Sequence, residues 1–296
     1  MKDKLTDASE ITVGSPSRAR TIAGFLDQNP QPFELFSERG FLTITGRYSG
    51  TPVSIVSIGM GNPNMDFFVR EARECLKGDM VVIRLGSCGA LIDVPVGTVV
   101  APNASVSVTR NVDFNFLRPE ESTGDSAYRI NTLQKGKPSD WPPPVLSGVV
   151  NASADSFYSS QGRQTSFPDH NSDLIEQLQA STADLATLEM ETFHLYHLAS
   201  CWGTHPSAHR EDAPPLTTTA VEPVMIGPGS VIQHSQVNPS VSRTSTIRAA
   251  AVHMVFASRL SQDFITPEQV DQLENWTGKA RKIPPTSFLN WALRDI

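Results

Sequence analysis

The chain has 296 residues, 39% of them hydrophobic, which is enough for one large core or two small ones. Its formal net charge of −7 excludes a protein whose main partner is a nucleic acid or an acidic membrane, because those surfaces demand a basic excess. Its three cysteines, Cys75, Cys88 and Cys201, are odd in number and lack metal-ligand spacing, which suits free thiols in a reducing compartment and makes the cytoplasm the expected location.

Met1–Asp7 lead into no apolar signal region, and no stretch approaches the roughly 20 apolar residues of a membrane span, so neither secretion nor insertion is expected. Glu10–Val13 reads as a first strand, and Val13-Gly-Ser-Pro-Ser-Arg18 leads it into a helix over Ser17–Leu26. In that geometry backbone N–H groups and the helix dipole favour an anion; Gly14 lets the backbone come close and Arg18 adds charge, although a capped helix start also accounts for these residues. Arg39 precedes Phe41-Leu-Thr-Ile-Thr, which reads as an edge strand, and taken alone it is a solvated side chain. Val53–Ile58 is a strand and Met65–Leu76 a helix. Met80–Leu85, the most apolar run, suits a sheet centre and ends in a Gly86-Ser87-Cys88-Gly89 turn. It carries Arg84, and a buried charge needs a partner: an oxyanion or an internal carboxylate would serve.

Thr98–Ala101 and Gly148–Ala152 are further strands, separated by a surface excursion over Asn115–Pro144. Ser153–Arg163 then brings Phe157, Gln161 and Arg163 together, an aromatic face beside an amide and a guanidinium fork. Asp173–Ala180 and Asp184–Ala199 read as helices, the second carrying Glu189-Met190-Glu191. His194 and His197 on that helix lack a third ligand and are read as packing; Cys88, with no histidine nearby in sequence, is read as a small buried thiol, so no metal site is expected. Gly203–Thr246 is rich in Pro, Ser and Thr without periodicity and is expected to be a mobile insertion, 203–246. Ile247–Ala257 resumes as a strand, and Thr266-Pro-Glu-Gln starts a helix. The alternation implies an α/β fold with a mixed sheet flanked by helices.

These motifs resemble the nucleoside phosphorylase-I family, over roughly residues 11–200 and 247–275. Gly-Ser-Pro-Ser-Arg is similar to the family's phosphate loop, and Arg-Leu-Gly-Ser-Cys-Gly to its Arg-Ile-Gly-Thr-x-Gly. The resemblance therefore assigns Gly14, Arg18, Arg84 and Ser87 to phosphate, with Arg39 serving a neighbouring subunit's phosphate site. Ala-Asp-Ser-Phe-Tyr-Ser-Ser-Gln-Gly-Arg resembles the uridine-cleaving branch, implying Phe157, Gln161, Arg163 and Arg259 at the base. Glu189, Met190 and Glu191, with Ser87, are implied at the ribose. Arg259 stands where the purine-cleaving branch carries a catalytic aspartate, which favours a pyrimidine.

The resemblance implies a single domain over residues 1–296, an α/β/α sandwich whose central mixed sheet is partly barrel-like. It implies phosphorolysis of uridine to uracil and ribose 1-phosphate, with Arg163 and Arg84 as catalytic groups. Inorganic phosphate is the co-substrate, no cofactor is expected, and the assembly is a homodimer or a trimer of dimers. The chain also departs from the family. Its first histidine is His170, where the family places one in the N-terminal segment, and Gly40 replaces a glutamate associated with a monovalent cation, so that ion is not expected. Two alternatives remain: a purine nucleoside phosphorylase or nucleosidase on the same fold, and a non-catalytic nucleoside-binding protein.

Overall fold

A computed structural model describes residues 8–76, 78–122, 124–136, 145–203, 245–259 and Thr266. Residues 204–244 of the expected insertion, and the helix expected after Thr266, lie outside the described residues.

β1 (Ala8–Val13) runs into α1 (Pro16–Ala23), whose first turn is capped by Ser15: its hydroxyl accepts from the Arg18 N–H at 3.3 Å. β2 (Phe33–Phe36), β3 (Leu42–Tyr48) and β4 (Thr51–Ser57) form an antiparallel meander. Ser49 and Gly50 close its second hairpin, both at positive φ, as a tight two-residue turn requires. The expected edge strand at Phe41–Thr45 is therefore corrected: β3 is paired on both sides, and the sheet ends at β2. α2 (Asn62–Glu74) follows, and then β5 (Met80–Ala90).

β5 is longer than the sequence suggested. The expected Gly-Ser-Cys-Gly turn is instead strand, because β13 (Ile247–Ser258) pairs in parallel along all of it. Gly86 lets the strands close: a Cβ there would lie 3.2 Å from the His253 ring. On its other edge β5 is shared, pairing with β1 over Met80–Arg84 and with β12 (Leu185–Glu189) at Gly89 and Ala90. The sheet thus forks at β5.

The second half contains β6 (Val99–Ala101), β7 (Ala104–Arg110), β8 (Tyr128–Ile130), β9 (Gln134–Lys135), β10 (Leu146–Ser147) and β11 (Val150–Ala154). β8 and β9 pair with β7, so part of the expected surface excursion joins the sheet. α3 (Leu174–Ser181) precedes β12, and α4 (Thr192–Gly203) follows it. The helix expected over Asp184–Ala199 is corrected here. Leu185-Ala-Thr-Leu-Glu is buried at every residue between β11 and β5, so its apolar run belongs to a sheet centre, and only from Thr192 does the chain coil.

Alternation places the strands between two helical layers. Val53 and Ile55 pack with Ile11, Val13 and Ile22 on the α1 side. Val56, Ile58, Met80 and Val82 pack with Met65, Phe68 and Leu195 on the α2 and α4 side. Arg84, two residues beyond Val82, continues onto this second face, toward the start of α4.

One core position conflicts with its surroundings. Glu10 is buried on β1 with no hydrogen bond or ion pair among the described residues, and burial pushes its carboxyl from 4.5 up to about 8. The folded chain then holds a proton that the unfolded chain releases above about pH 4.5, so stability falls as pH rises from about 4.5 to 8. Glu10→Gln is expected to raise the unfolding free energy by a few kcal/mol at pH 8, on the order of the shift, and to change little at pH 4. Urea denaturation at both pH values checks this.

Candidate functional site

The carboxyl ends of β1, β4, β5, β11, β12 and β13 converge, as open α/β sheets favour for ligand sites. At the centre Arg84 donates from Nη2 to Glu191 Oε2 at 2.8 Å, and the two side chains are 5% and 4% exposed. Glu191 is the internal carboxylate foreseen as a partner for Arg84. Among the described residues the Arg84 Nε and Nη1 are buried without a hydrogen-bond partner, so the guanidinium keeps donor capacity. Burial, and then Glu189, raise the Glu191 carboxyl above its ordinary range, while Arg84 and the Gly61 N–H pull it back.

The Gly61 N–H donates to Glu191 Oε1 at 2.5 Å. Gly61 stands at φ 94° at the start of α2, a conformation that side chains disfavour, and a Cβ there would lie 3.9 Å from Met190. A Cβ on Gly14 would lie 3.7 Å from the Gly59 carbonyl. The loops at 14–18, 59–61 and 189–191 are therefore neighbours. Gly61 was missed in sequence, although Gly59-Met-Gly-Asn-Pro between a strand and a helix was the available signal.

Arg18 is in the same region, its guanidinium 5.6 Å from the centre of the Phe256 ring near the end of β13. Ser87 is half-buried on β5 beside Met254 of β13. Arg39 is apart from these residues: it is exposed, pairs with Glu71 at 2.6 Å and lies 4.9 Å from the Phe67 ring.

The second cluster follows β11. The Arg163 guanidinium stacks 3.8 Å from the centre of the Phe157 ring and donates to the Phe157 carbonyl at 2.6 Å and to the Gln161 side-chain oxygen. Arg259 leaves the end of β13 and donates to the Gln161 carbonyl at 2.7 Å. Asn171 fastens the loop by donating to the carbonyls of Ser159 and Arg163. Burial, together with the positive charge of Arg259, lowers Arg163 to about 10, so the two cations are crowded and receptive to an anion. The four residues expected at the base therefore lie together.

Glu189 is placed differently from Glu191. Its carboxylate accepts from Asn151, from Ser153 and from the N–H groups of Glu191 and Thr192, all buried. His253, also missed in sequence, is buried with Nε2 at 2.8 Å from the Thr192 hydroxyl. Burial, and then Arg84, push it down to about 3. Unfolded histidine takes up a proton near pH 6.5, so this group costs stability as pH falls from about 6.5 toward 3. Between pH 7 and about 4, His253→Gln is expected to lose less melting temperature than the parent chain does; equal losses would show that His253 titrates normally.

The other singled-out residues are occupied locally. His194 contacts Asp66 at 2.9 Å, and the His197 ring stacks on Phe193. Burial raises the Cys88 thiol, and none of the three cysteines is in a disulfide among the described residues. Among the described residues no helix is long and apolar enough to cross a membrane.

The sequence profile of the Phosphorylase superfamily matches residues 11–206. A uridine phosphorylase of Thermococcus kodakarensis is 28% identical over 200 residues, 64% of this chain and 66% of that protein. A DeoD-type purine nucleoside phosphorylase of Myxococcus xanthus is 30% identical over 195 residues, 63% of this chain and 72% of that one. Among solved structures, one from a study of two uridine phosphorylases of the oomycete Phytophthora capsici superposes with a TM-score of 0.74 at 30% identity, covering 99% of this chain and 94% of its own. A Trypanosoma brucei nucleoside phosphorylase shares the fold, with a TM-score of 0.60 at 18% identity over 92% of this chain and 90% of its own. The matched profile covers the residues of both clusters except those on β13 and Arg259, and the chain belongs to the Phosphorylase superfamily, as a member of the nucleoside phosphorylase-I family resembling uridine phosphorylase.

Proposed function

We propose that the protein cleaves uridine with inorganic phosphate, giving uracil and ribose 1-phosphate. The observation that carries this reading is the grouping of Phe157, Gln161, Arg163 and Arg259 into one cluster. An amide and a guanidinium fork match the two carbonyls and one N–H of a uracil edge, and Phe157 offers a stacking face. Breaking the bond between C1′ and N1 leaves its electron pair on uracil and positive charge on the sugar, while a phosphate oxygen forms the new bond to C1′. Arg163, with Arg259 beside it, stabilises the departing anion. Arg84, Arg18 and the neighbouring subunit's Arg39 hold phosphate, with Gly14 and Ser87 alongside, and Glu191 and Met190 face the ribose. The unsatisfied donors of Arg84 support its part. The reaction as written needs no cofactor.

The neighbour's contribution requires at least a dimer, and the family suggests a trimer of dimers. Phe33, Leu35 and Phe36 are exposed on the edge strand, apolar surface that a second copy would cover. Three cysteines outside any disulfide among the described residues fit a cytoplasmic setting. A purine substrate is the second reading, favoured by the Myxococcus relative and opposed by Arg259.

The test follows base release from uridine and from inosine, each with and without phosphate. Phosphate-dependent uracil release is the expected result. Release from inosine alone would transfer the assignment to purines, and nucleoside binding without turnover would make the protein a non-catalytic binder.

A further inference from the structure

We infer that Glu189 is a positioning residue: with Asn151 and Ser153 it anchors the first turn of α4, and this holds the Glu191 carboxylate against Arg84 and Gly61. The inference rests on the reading of Glu191 as the group that faces the sugar.

A helix leaves its first N–H groups without internal partners, and the residue at its start usually turns its own side chain back to accept them. Glu191 holds that place, since its carbonyl accepts the Leu195 N–H at 3.1 Å. Its side chain, however, points away, to Gly61 and Arg84. The capping passes to Glu189 and Ser153. Glu189 accepts the N–H of Glu191 at 2.8 Å and that of Thr192 at 3.1 Å, and the Ser153 hydroxyl accepts the N–H of Phe193 at 2.8 Å. One glutamate of the Glu-Met-Glu triplet caps the helix, and the other is thereby free for the site.

Glu189 has no capacity left for a ligand. A carboxylate offers about four acceptor positions. Here they meet the Asn151 amide at 2.7 Å, the Ser153 hydroxyl and the two backbone N–H groups. Asn151 is held in turn: its amide also reaches Ser105 at 3.0 Å, and its oxygen accepts from Thr187 at 2.9 Å. Asn151 and Ser153 are fully buried, and among the described residues neither side chain hydrogen-bonds to Glu191, Arg84 or the base cluster.

The experiment compares Glu189→Gln, Asn151→Ala and the milder Ser153→Ala, each alone and in a Glu191→Gln background. The readouts are kcat and KM for uridine and for phosphate, and amide hydrogen exchange at residues 191–193. Each single variant is expected to lower kcat/KM for uridine on the order of tenfold to a hundredfold, to speed exchange at 191–193, and to add little once Glu191 is already changed. A full additional loss from Glu189→Gln in the Glu191→Gln background, with Asn151→Ala near the parent, would mean that Glu189 touches substrate itself, and would overturn the inference. Faster exchange with unchanged kinetics would reduce the network to a stability role and overturn it equally. If the parent chain turns over no nucleoside, the reading of function fails separately. Exchange still decides, because unchanged protection in Glu189→Gln removes the anchor on which the inference stands.

Discussion

Arg84→Met is expected to lower the unfolding free energy by about 3–5 kcal/mol at neutral pH, because it leaves the Glu191 charge buried without its counter-charge. The loss has a pH signature. Burial already raises the Glu191 carboxyl, and without Arg84 it rises further, so the penalty is present while Glu191 is ionised and fades as pH falls and the carboxyl takes up a proton. Denaturant titrations of parent and variant should therefore converge toward acid. Arg84→Met combined with Glu191→Met is expected to recover most of the stability, since an apolar pair of similar volume costs no desolvation. A single-variant loss below about 1 kcal/mol would place the pair in solvent and contradict its burial.

Arg163→Ala is expected to reduce kcat for uridine by about 10²–10³, equivalent to roughly 3–4 kcal/mol, with a much smaller change in the KM for phosphate. The asymmetry follows from position. Arg163 is bound to Phe157 and Gln161 beside Arg259, whereas the unsatisfied donors of Arg84 lie with Glu191 and Gly61. In the proposed reaction, removing Arg163 withdraws a positive charge from where the base leaves with an electron pair, a charge absent in the ground state. Lysine is not an adequate replacement, because a point charge cannot both stack on Phe157 and donate as a planar fork. Parallel steady-state titrations of uridine and phosphate check the claim, and equal losses in both would remove Arg163 from the base.

Much of this was readable from the chain. Val53–Ile58 and Met80–Leu85 were legible as strands because β-branched runs bounded by glycine and polar turns have few other uses. The grouping of Phe157, Gln161 and Arg163 was legible because they are within six residues along the chain, and the structure keeps them in contact. Reading failed where burial on both faces erases periodicity. Leu185–Glu189 shows no alternation, so it merged with the true helix beginning at Thr192. Gly86–Gly89 has the composition of a turn, and a twelve-residue neighbour, β13, holds it as strand.

The sequence by itself determined the chemical inventory: which arginines, which aromatic face, and which loop chemistry opens α1 and follows β11. Only tertiary structure decided the partnerships. Gly61 and Glu191 are 130 residues apart, Arg84 and Glu191 107, and Gln161 and Arg259 98. Local propensity extends over a few residues, whereas a buried charge takes whichever complementary group the sheet order delivers to it. The two glutamates flanking Met190 are the same residue type two positions apart. They differ in role because the backbone turns between them, sending Glu189 into a cage of donors and Glu191 toward Arg84.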